Sequence, residues 1–303
     1  MFFISSFFGA SAVRCPAVAP QNFHLFYKYG CKITTKFRLS EGNKRKSQFN
    51  CDQKTKITVN SFILLLPKTK NIRKSLEKCG KYANFVTMIN RQLLLPESIV
   101  VIGGSNNVHK PGGALVRNLI EGGFPLPPAG TLPAEGDPGL RIVNPKEDEV
   151  QGVKAFHDVK DIPPTDLAVL VVAARFCPDY VEFLAREKQV RAFVIISAGF
   201  GEETEEGAEM EQKILDTCQQ YQCALIGPNC IGLLNSHHHS VFTKPIPTLN
   251  PQGADFISGS GATAVFILES GVTKGLTFNS VWSVGNGKQI GIEDVLQYMD
   301  EHF

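Results

Sequence analysis

The chain has 303 residues, 43% of them hydrophobic and 20% charged, with 27 Gly and 18 Pro. That composition excludes a wholly disordered or collagen-like polymer and leaves room for two ordinary domains. Every apolar run is far shorter than the roughly 20 residues a membrane-spanning helix needs. The formal charge of +2 joins two unlike parts: residues 1–87 hold 16 Lys/Arg and 3 Asp/Glu, and residues 88–303 hold 15 and 26. The sum is therefore no argument for nucleic acid.

Residues 1–87 carry 10 of the 21 Phe and no acid before Glu41, and they show no sustained helical or alternating period. They read as a basic, unstructured extension, dispensable for the fold. The acid-free composition of residues 1–40 also suits an organelle transit peptide. Phe2 to Phe8 followed by Ala10-Ser11-Ala12 imitates a secretory core, but the basic n-region is missing. No two of the eight Cys form a C-x-x-C pair, and no His flanks them at zinc-finger spacing. A body with this much core needs no disulfide framework and reads as made for a reducing, cytoplasmic compartment.

Composition changes sharply at Met88. From there the pattern predicts a strand at 98–102, a helix at 111–120, a strand at 140–144 and an apolar strand within 167–173. It continues with a helix at 178–188, a strand at 192–197, a helix at 205–221 and a strand at 223–226. Continuous apolar strands alternating with amphipathic helices mean a parallel sheet covered on both faces. Right-handed crossovers then make residues 88–234 an α/β, doubly wound, Rossmann-like domain. Pro125 to Gly139, with five Pro and three Gly, exceeds the usual helix-to-strand loop of about 2–6 residues and reads as an unstructured insertion. After Leu234 the pattern predicts a strand at 254–258, a helix from Ala262, a strand at 278–284 and a helix from Glu293. Two parallel strands with one crossover cannot bury both faces of a sheet, so residues 235–303 read as an incomplete second domain.

Four strand ends carry candidate chemistry. Gly103-Gly104-Ser105-Asn106-Asn107 follows the first strand, where glycines let backbone approach a phosphate and the next helix offers its amides; a plain tight turn is the alternative. The second strand ends Val143-Asn144-Pro145-Lys146, where a dinucleotide binder wants an acid for the ribose hydroxyls. A cation there suits a ribose bearing an extra phosphate, as in NADP or coenzyme A. Gly227-Pro228-Asn229-Cys230 ends another strand, with the Cys as core packing. Ser258-Gly259-Ser260-Gly261 opens a helix as an anion seat or a plain cap. His237-His238-His239 cannot all point at one ion and reads as a solvated loop. No catalytic acid–base group and no metal site emerge.

Taken in order, Pro96-Glu97-Ser98-Ile99, the glycine-serine turn, Val143-Asn144-Pro145, Ser197-Ala198-Gly199-Phe200-Gly201-Glu202, Gly227-Pro228-Asn229-Cys230, Ser258-Gly259-Ser260-Gly261 and Ser283-Val284-Gly285-Asn286 resemble the coenzyme-A-binding part of the NDP-forming acyl-CoA synthetases. The likeness is to the ADP-forming acetate–CoA ligase type and the succinyl-CoA synthetase alpha subunit. It covers residues 88–303 and implies a flavodoxin-like, succinyl-CoA-synthetase-like start of a domain after residue 234. It further implies a reversible reaction in which a carboxylate, coenzyme A and a nucleoside triphosphate give acyl-CoA through an acyl phosphate and a phosphohistidine. By the resemblance, Gly103, Ser105, Asn106 and Lys146 hold coenzyme A, and Ser197, Ala198 and Gly199 line its path. Asn229 lies near acyl transfer, and Ser258, Gly259, Ser260 and Gly261 seat a phosphoryl group.

The departures are that no His stands in the family's phosphohistidine setting and no ATP-grasp region is visible. Gly259 replaces the usual Gln, and Gln289 the usual Asp. ATP/ADP and Mg would then enter only through an ATP-grasp domain or subunit as partner, and the chain would be inactive alone. A non-catalytic, acetyltransferase-associated coenzyme-A sensor and an NAD(P)-dependent oxidoreductase are the alternatives. Neither a nucleic-acid nor a membrane partner is expected.

Overall fold

The computed structural model describes residues 88–302 and the backbone of Ile63–Leu65. The extension and targeting readings lie outside the described residues, apart from that three-residue strand. The elements are β1 (Ile63–Leu65), α1 (Arg91–Leu94), β2 (Ser98–Ile102), α2 (Pro111–Glu121), β3 (Gly139–Val143), β4 (Glu149–Val150), β5 (Val153–Phe156) and β6 (Leu167–Leu170). They continue with α3 (Cys177–Glu187), β7 (Ala192–Ile195), α4 (Glu205–Tyr221), β8 (Ala224–Ile226), β9 (Gly232–Leu234) and β10 (His239–Val241). The last are β11 (Leu249–Ser258), α5 (Gly261–Val272), β12 (Phe278–Ser283) and α6 (Ile292–His302).

A seven-stranded sheet runs β4-β5-β3-β2-β6-β7-β8. All its pairs are parallel except the β4–β5 hairpin. Without β4, the order is that of the doubly wound Rossmann sheet, whose switch point falls between β2 and β6. The period of two sorts each central strand between two cores. Ile99, Val101, Leu167, Val169 and Val194 face one core with Leu115 and Leu119 of α2. Val100, Ile102, Ala168, Leu170, Phe193 and Ile195 face the other with Val181 and Leu184 of α3 and Ile214 of α4. Both faces are apolar because both are covered, which is why these strands read as unbroken apolar runs.

The second sheet is wider than the sequence suggests. It has five strands in the order β1-β11-β12-β9-β10. β11 and β12 are parallel across α5, while β9, β10 and β1 add antiparallel pairs. β9 and β10 escape a sequence reading because each has three residues and the link between them is His-rich. Leu233, Ile257, Trp282, Val295 and Leu296 join the same core as Ile99 and Val101, so the second sheet and α6 share with α2 the covering of that face. The Pro125–Gly139 segment differs from the unstructured insertion expected of it. Buried Arg141 donates to the Asp137 and Gly139 carbonyls at 2.7 and 3.1 Å, and Leu140 N–H donates to Pro125 O at 2.8 Å.

Two buried side chains tie the β9–β10 hairpin down. Asn118 of α2 donates to Val241 O and Thr243 O at 2.6 and 3.0 Å. His238, only 1% exposed, corrects the solvated-loop reading. Its Nε2–H donates to Leu93 O at 3.0 Å, and its Nδ1 accepts from Ser240 Oγ at 2.8 Å. Burial pushes the imidazole from 6.5 down to about 4. A folded-state value below the unfolded one means that protons favour the unfolded chain. This part of the stability is whole above about pH 6.5 and is lost as pH falls through about 4. Between pH 7.5 and 5 the loss should be about 2 kcal/mol. Urea unfolding at the two pH values should show it for the parent and a much flatter response for His238→Gln; equal pH responses would refute the assignment.

Candidate functional site

The site forms where β2 and β6 end. Gly103 bonds its N–H to Val143 O at 3.1 Å, and Val171 N–H donates to Ile102 O at 2.9 Å. The two chains then separate, one into α2 and the other toward α3. Gly103 holds φ +91°, and a Cβ there would sit 2.4 Å from Val171 O, so no other residue passes this point without strain. The turn is stitched by side chains: Ser105 Oγ accepts from Asn107 N at 3.1 Å, and Asn107 Oδ1 accepts from His109 N at 3.0 Å. Pro111 opens α2 at a position suited to proline. Gly112 lets the first turn lie on the glycine loop, since a Cβ would come within 2.1 Å of Gly103 O.

β7 and β8 bring up the next wall. Ser197 Oγ donates to Val172 O at 2.5 Å, and Asn229 N–H donates to Ser197 O at 2.9 Å. Asn229 holds a left-handed φ of 59° with its side chain exposed. Cys230 Sγ donates to Ile195 O at 3.3 Å, and burial pushes its thiol up to about 12, so it packs and does not attack. Ile231 and Phe242 follow on the same wall. Opposite, β11 ends at Ser258, whose Oγ donates to Ser260 O at 2.8 Å and accepts from Ser260 N at 3.0 Å. Ser260 caps α5, accepting from Thr263 N at 3.3 Å.

These elements enclose an open cavity of about 940 Å³. The N-termini of α2 and α5 both meet it, each a source of backbone amides and positive dipole. Of the residues singled out in the sequence, Gly103, Ser105, Ser197, Ala198, Asn229, Gly259, Ser260 and Gly261 line it; Asn106, Lys146, Gly199 and Ser258 do not. The Asn106 amide is taken up elsewhere: it donates to Glu149 O at 2.9 Å and to the Glu147 carboxylate, and it accepts from Gln151 N at 2.7 Å. It thereby pins the β4–β5 hairpin to the glycine turn. Lys146 is exposed beyond β3. Ser258 is buried beneath its own turn.

Sequence reasoning missed Lys110, Val172, Phe242 and Val265 on the cavity wall. The apolar run 167–173 outlasts its strand, which is a usable signal for Val172. The Phe242 position depends on a hairpin invisible in the sequence.

Beside the cavity, three loops are latched together. Glu202 accepts from Gly199 N and Phe200 N at 2.8 and 3.3 Å and from Asn286 Nδ2 at 2.6 Å. Burial alone would raise its carboxyl, but the hydrogen bonds from Asn286 and the backbone outweigh burial and lower it. Asn286 also donates to Glu211, a buried carboxylate, at 2.9 Å, and its N–H reaches Pro228 O at 3.0 Å. Lys288 Nζ stands 4.0 Å from Glu211. Removing the amide leaves Glu211 under-partnered, so Asn286→Ala should cost about 1–3 kcal/mol in urea unfolding. An unchanged midpoint would mean that water serves the carboxylates equally well.

A family described as a CoA binding domain matches residues 97–236. The alpha subunit of an ADP-forming acetate–CoA ligase from Pyrococcus furiosus is 36% identical over 207 residues, spanning 67% of this chain and 42% of that relative. An ADP-forming 4-hydroxybutyrate–CoA ligase from Nitrosopumilus maritimus is 30% identical over 220 residues, spanning 71% and 29%. Among solved structures, an acetyl-coenzyme A synthetase of Candidatus Korarchaeum cryptofilum, in complex with phosphate and ADP, superposes with a TM-score of 0.60 at 27% identity, spanning 71% of this chain and 43% of that one. The chain thus spans less than half the length of these relatives.

Proposed function

We propose that this chain, which belongs to the NDP-forming acyl-CoA synthetase family, is the coenzyme-A-binding portion of an acid–CoA ligase. The observation that carries the reading is the cavity at the β2–β6 switch point, met by two helix N-termini. In doubly wound sheets ligands bind in this crevice, with the pyrophosphate at the first helix. Gly103 and Ser105 would take that end of coenzyme A, and Asn106 would keep the turn in shape. Lys146, beyond β3, would meet the ribose phosphate. Ser197, Ala198 and Gly199 would border the pantetheine arm, and Asn229 its end. Gly259, Ser260 and Gly261, held by Ser258, would seat a phosphoryl group on the α5 dipole.

Coenzyme A supplies the thiol that accepts the acyl group from the carboxylate substrate. Among the described residues no His lines the cavity. The nucleotide half of the reaction, with ATP/ADP and Mg, is assigned to an ATP-grasp domain or subunit working with this one, and the phosphohistidine to a separate part of the ligase. No helix among the described residues is long and apolar enough to cross a membrane.

Calorimetric titration of the chain should give binding of coenzyme A and none of NAD or NADP; the reverse preference would overturn the reading. Lys146→Ala should weaken coenzyme A more than dephospho-coenzyme A by a charge-assisted contact of about 1.5–3 kcal/mol. Equal losses for both ligands would remove Lys146 from the ribose phosphate.

A further inference from the structure

The wall at Ser197, Ala198 and Gly199 lies between β7 and α4, outside any regular element. Two adjacent amides there, Gly199 N–H and Phe200 N–H, converge on one oxygen, Glu202 Oε1, at 2.8 and 3.3 Å. Successive amides of this kind form a concave seat for an anion, and here the chain's own carboxylate fills it. The second oxygen, Glu202 Oε2, is bound from outside the turn, by Asn286 Nδ2 at 2.6 Å. Asn286 is itself fixed, because its N–H donates to Pro228 O at 3.0 Å and its amide also donates to buried Glu211 at 2.9 Å. Two residues earlier, Val284 N–H donates to Ser258 O at 2.9 Å. The loop after β12 is thereby bonded to the Ser258 turn, to the Pro228 turn and, through Glu202, to the 197–199 wall. Neither Glu202 nor Asn286 lines the cavity. Among the described residues, the bonds of this pair reach no residue of the glycine turn after β2.

Resting on the coenzyme A reading above, we infer that Glu202 and Asn286 are positioning residues, which together set the 197–199 wall against the 258–261 turn. They thereby fix where the thiol-bearing arm of the ligand ends, and they touch no reacting atom. The arm feels the pair because its border hangs on Glu202. The nucleotide end does not, because the glycine turn is stitched by its own Ser105 and Asn107. A wall displaced by about 1 Å is enough to spoil a site that is otherwise present.

Coenzyme A and 3′-phosphoadenosine 5′-diphosphate, which lacks the arm, divide the question, each titrated calorimetrically into the full chain. Glu202→Gln keeps an oxygen for the Gly199 and Phe200 amides but turns an amide group toward that of Asn286, severing the tie between the loops. It leaves the Asn286–Glu211 bond in place, so the fold is spared the loss expected of Asn286→Ala. Both variants should weaken coenzyme A about 3–10-fold, the worth of one hydrogen bond, and leave the arm-less nucleotide unchanged. In Glu202→Gln, hydrogen exchange at Gly199 and Phe200 should quicken while β7 stays as protected as in the parent. Undiminished affinity for coenzyme A in Glu202→Gln, equal losses for both ligands, or unaltered exchange at Gly199 and Phe200 overturns the inference while the function stands. A parent chain that binds neither ligand overturns the function itself, and this inference with it.

Discussion

The constraint on which the rest depends is the parting of two adjacent parallel strands. β2 and β6 are hydrogen-bonded neighbours along their length, yet β2 leads to a helix on one face of the sheet and β6 to a helix on the other. Past Ile102 and Leu170 nothing can fill the gap between the departing chains, and a crevice is unavoidable. Gly103 is required because the two backbones are still nearly in contact there. The glycine turn, the start of α2 and the wall at Val172 and Ser197 follow from that geometry.

The second sheet closes the crevice into a site. Its hairpin, held by Asn118 and His238, brings Phe242 to the wall, and the β11–α5 turn brings Ser260 opposite. The hydroxyls and the thiol along this wall are engaged with protein: Ser105 with Asn107, Ser197 with Val172, Ser260 with Thr263, Cys230 with Ile195. The free thiols at Cys177 and Cys223 are likewise pushed up by burial, to about 12 and 11. What the wall presents to a ligand is chiefly backbone, dipole and apolar surface. Such a wall suits the proposed role of holding and orienting a long, phosphate-bearing molecule.

Much of this was legible in the sequence because the central strands are buried on both faces. Unbroken runs such as 98–102 and 192–195 can hardly be anything else, and glycine-rich turns at their ends mark the crevice. The helix at 205–221 matches its sequence pattern to the residue, with Thr204 accepting from Gly207 N at 2.9 Å as its cap. The illegible parts are those whose residues serve distant partners. β9 and β10 have three residues each, too few for a period; β9 is held in the sheet by β12 and β10 by β9. His238 looks like solvated polarity until Leu93 is placed beside it. Asn106 sits in the right motif, but its amide serves a hairpin 40 residues onward, a pairing no local pattern encodes. Arg141 is a buried cation within a strand, and its carbonyl partners come from the end of the 125–139 segment, which the sequence reads as unstructured.

Gln289 has a further consequence. Its amide accepts from Leu225 N at 2.6 Å and donates to Cys223 O at 2.9 Å, imitating one residue of an added strand along the outer edge of β8. A carboxylate could accept the first bond but could not donate the second. The seven-stranded sheet is therefore hemmed by a side chain belonging to the loop after β12. Severing the chain between the two sheets would strip that hem and leave β8 as a bare, apolar border able to zip onto another copy. The halves are bound to one another by solubility as well as by packing.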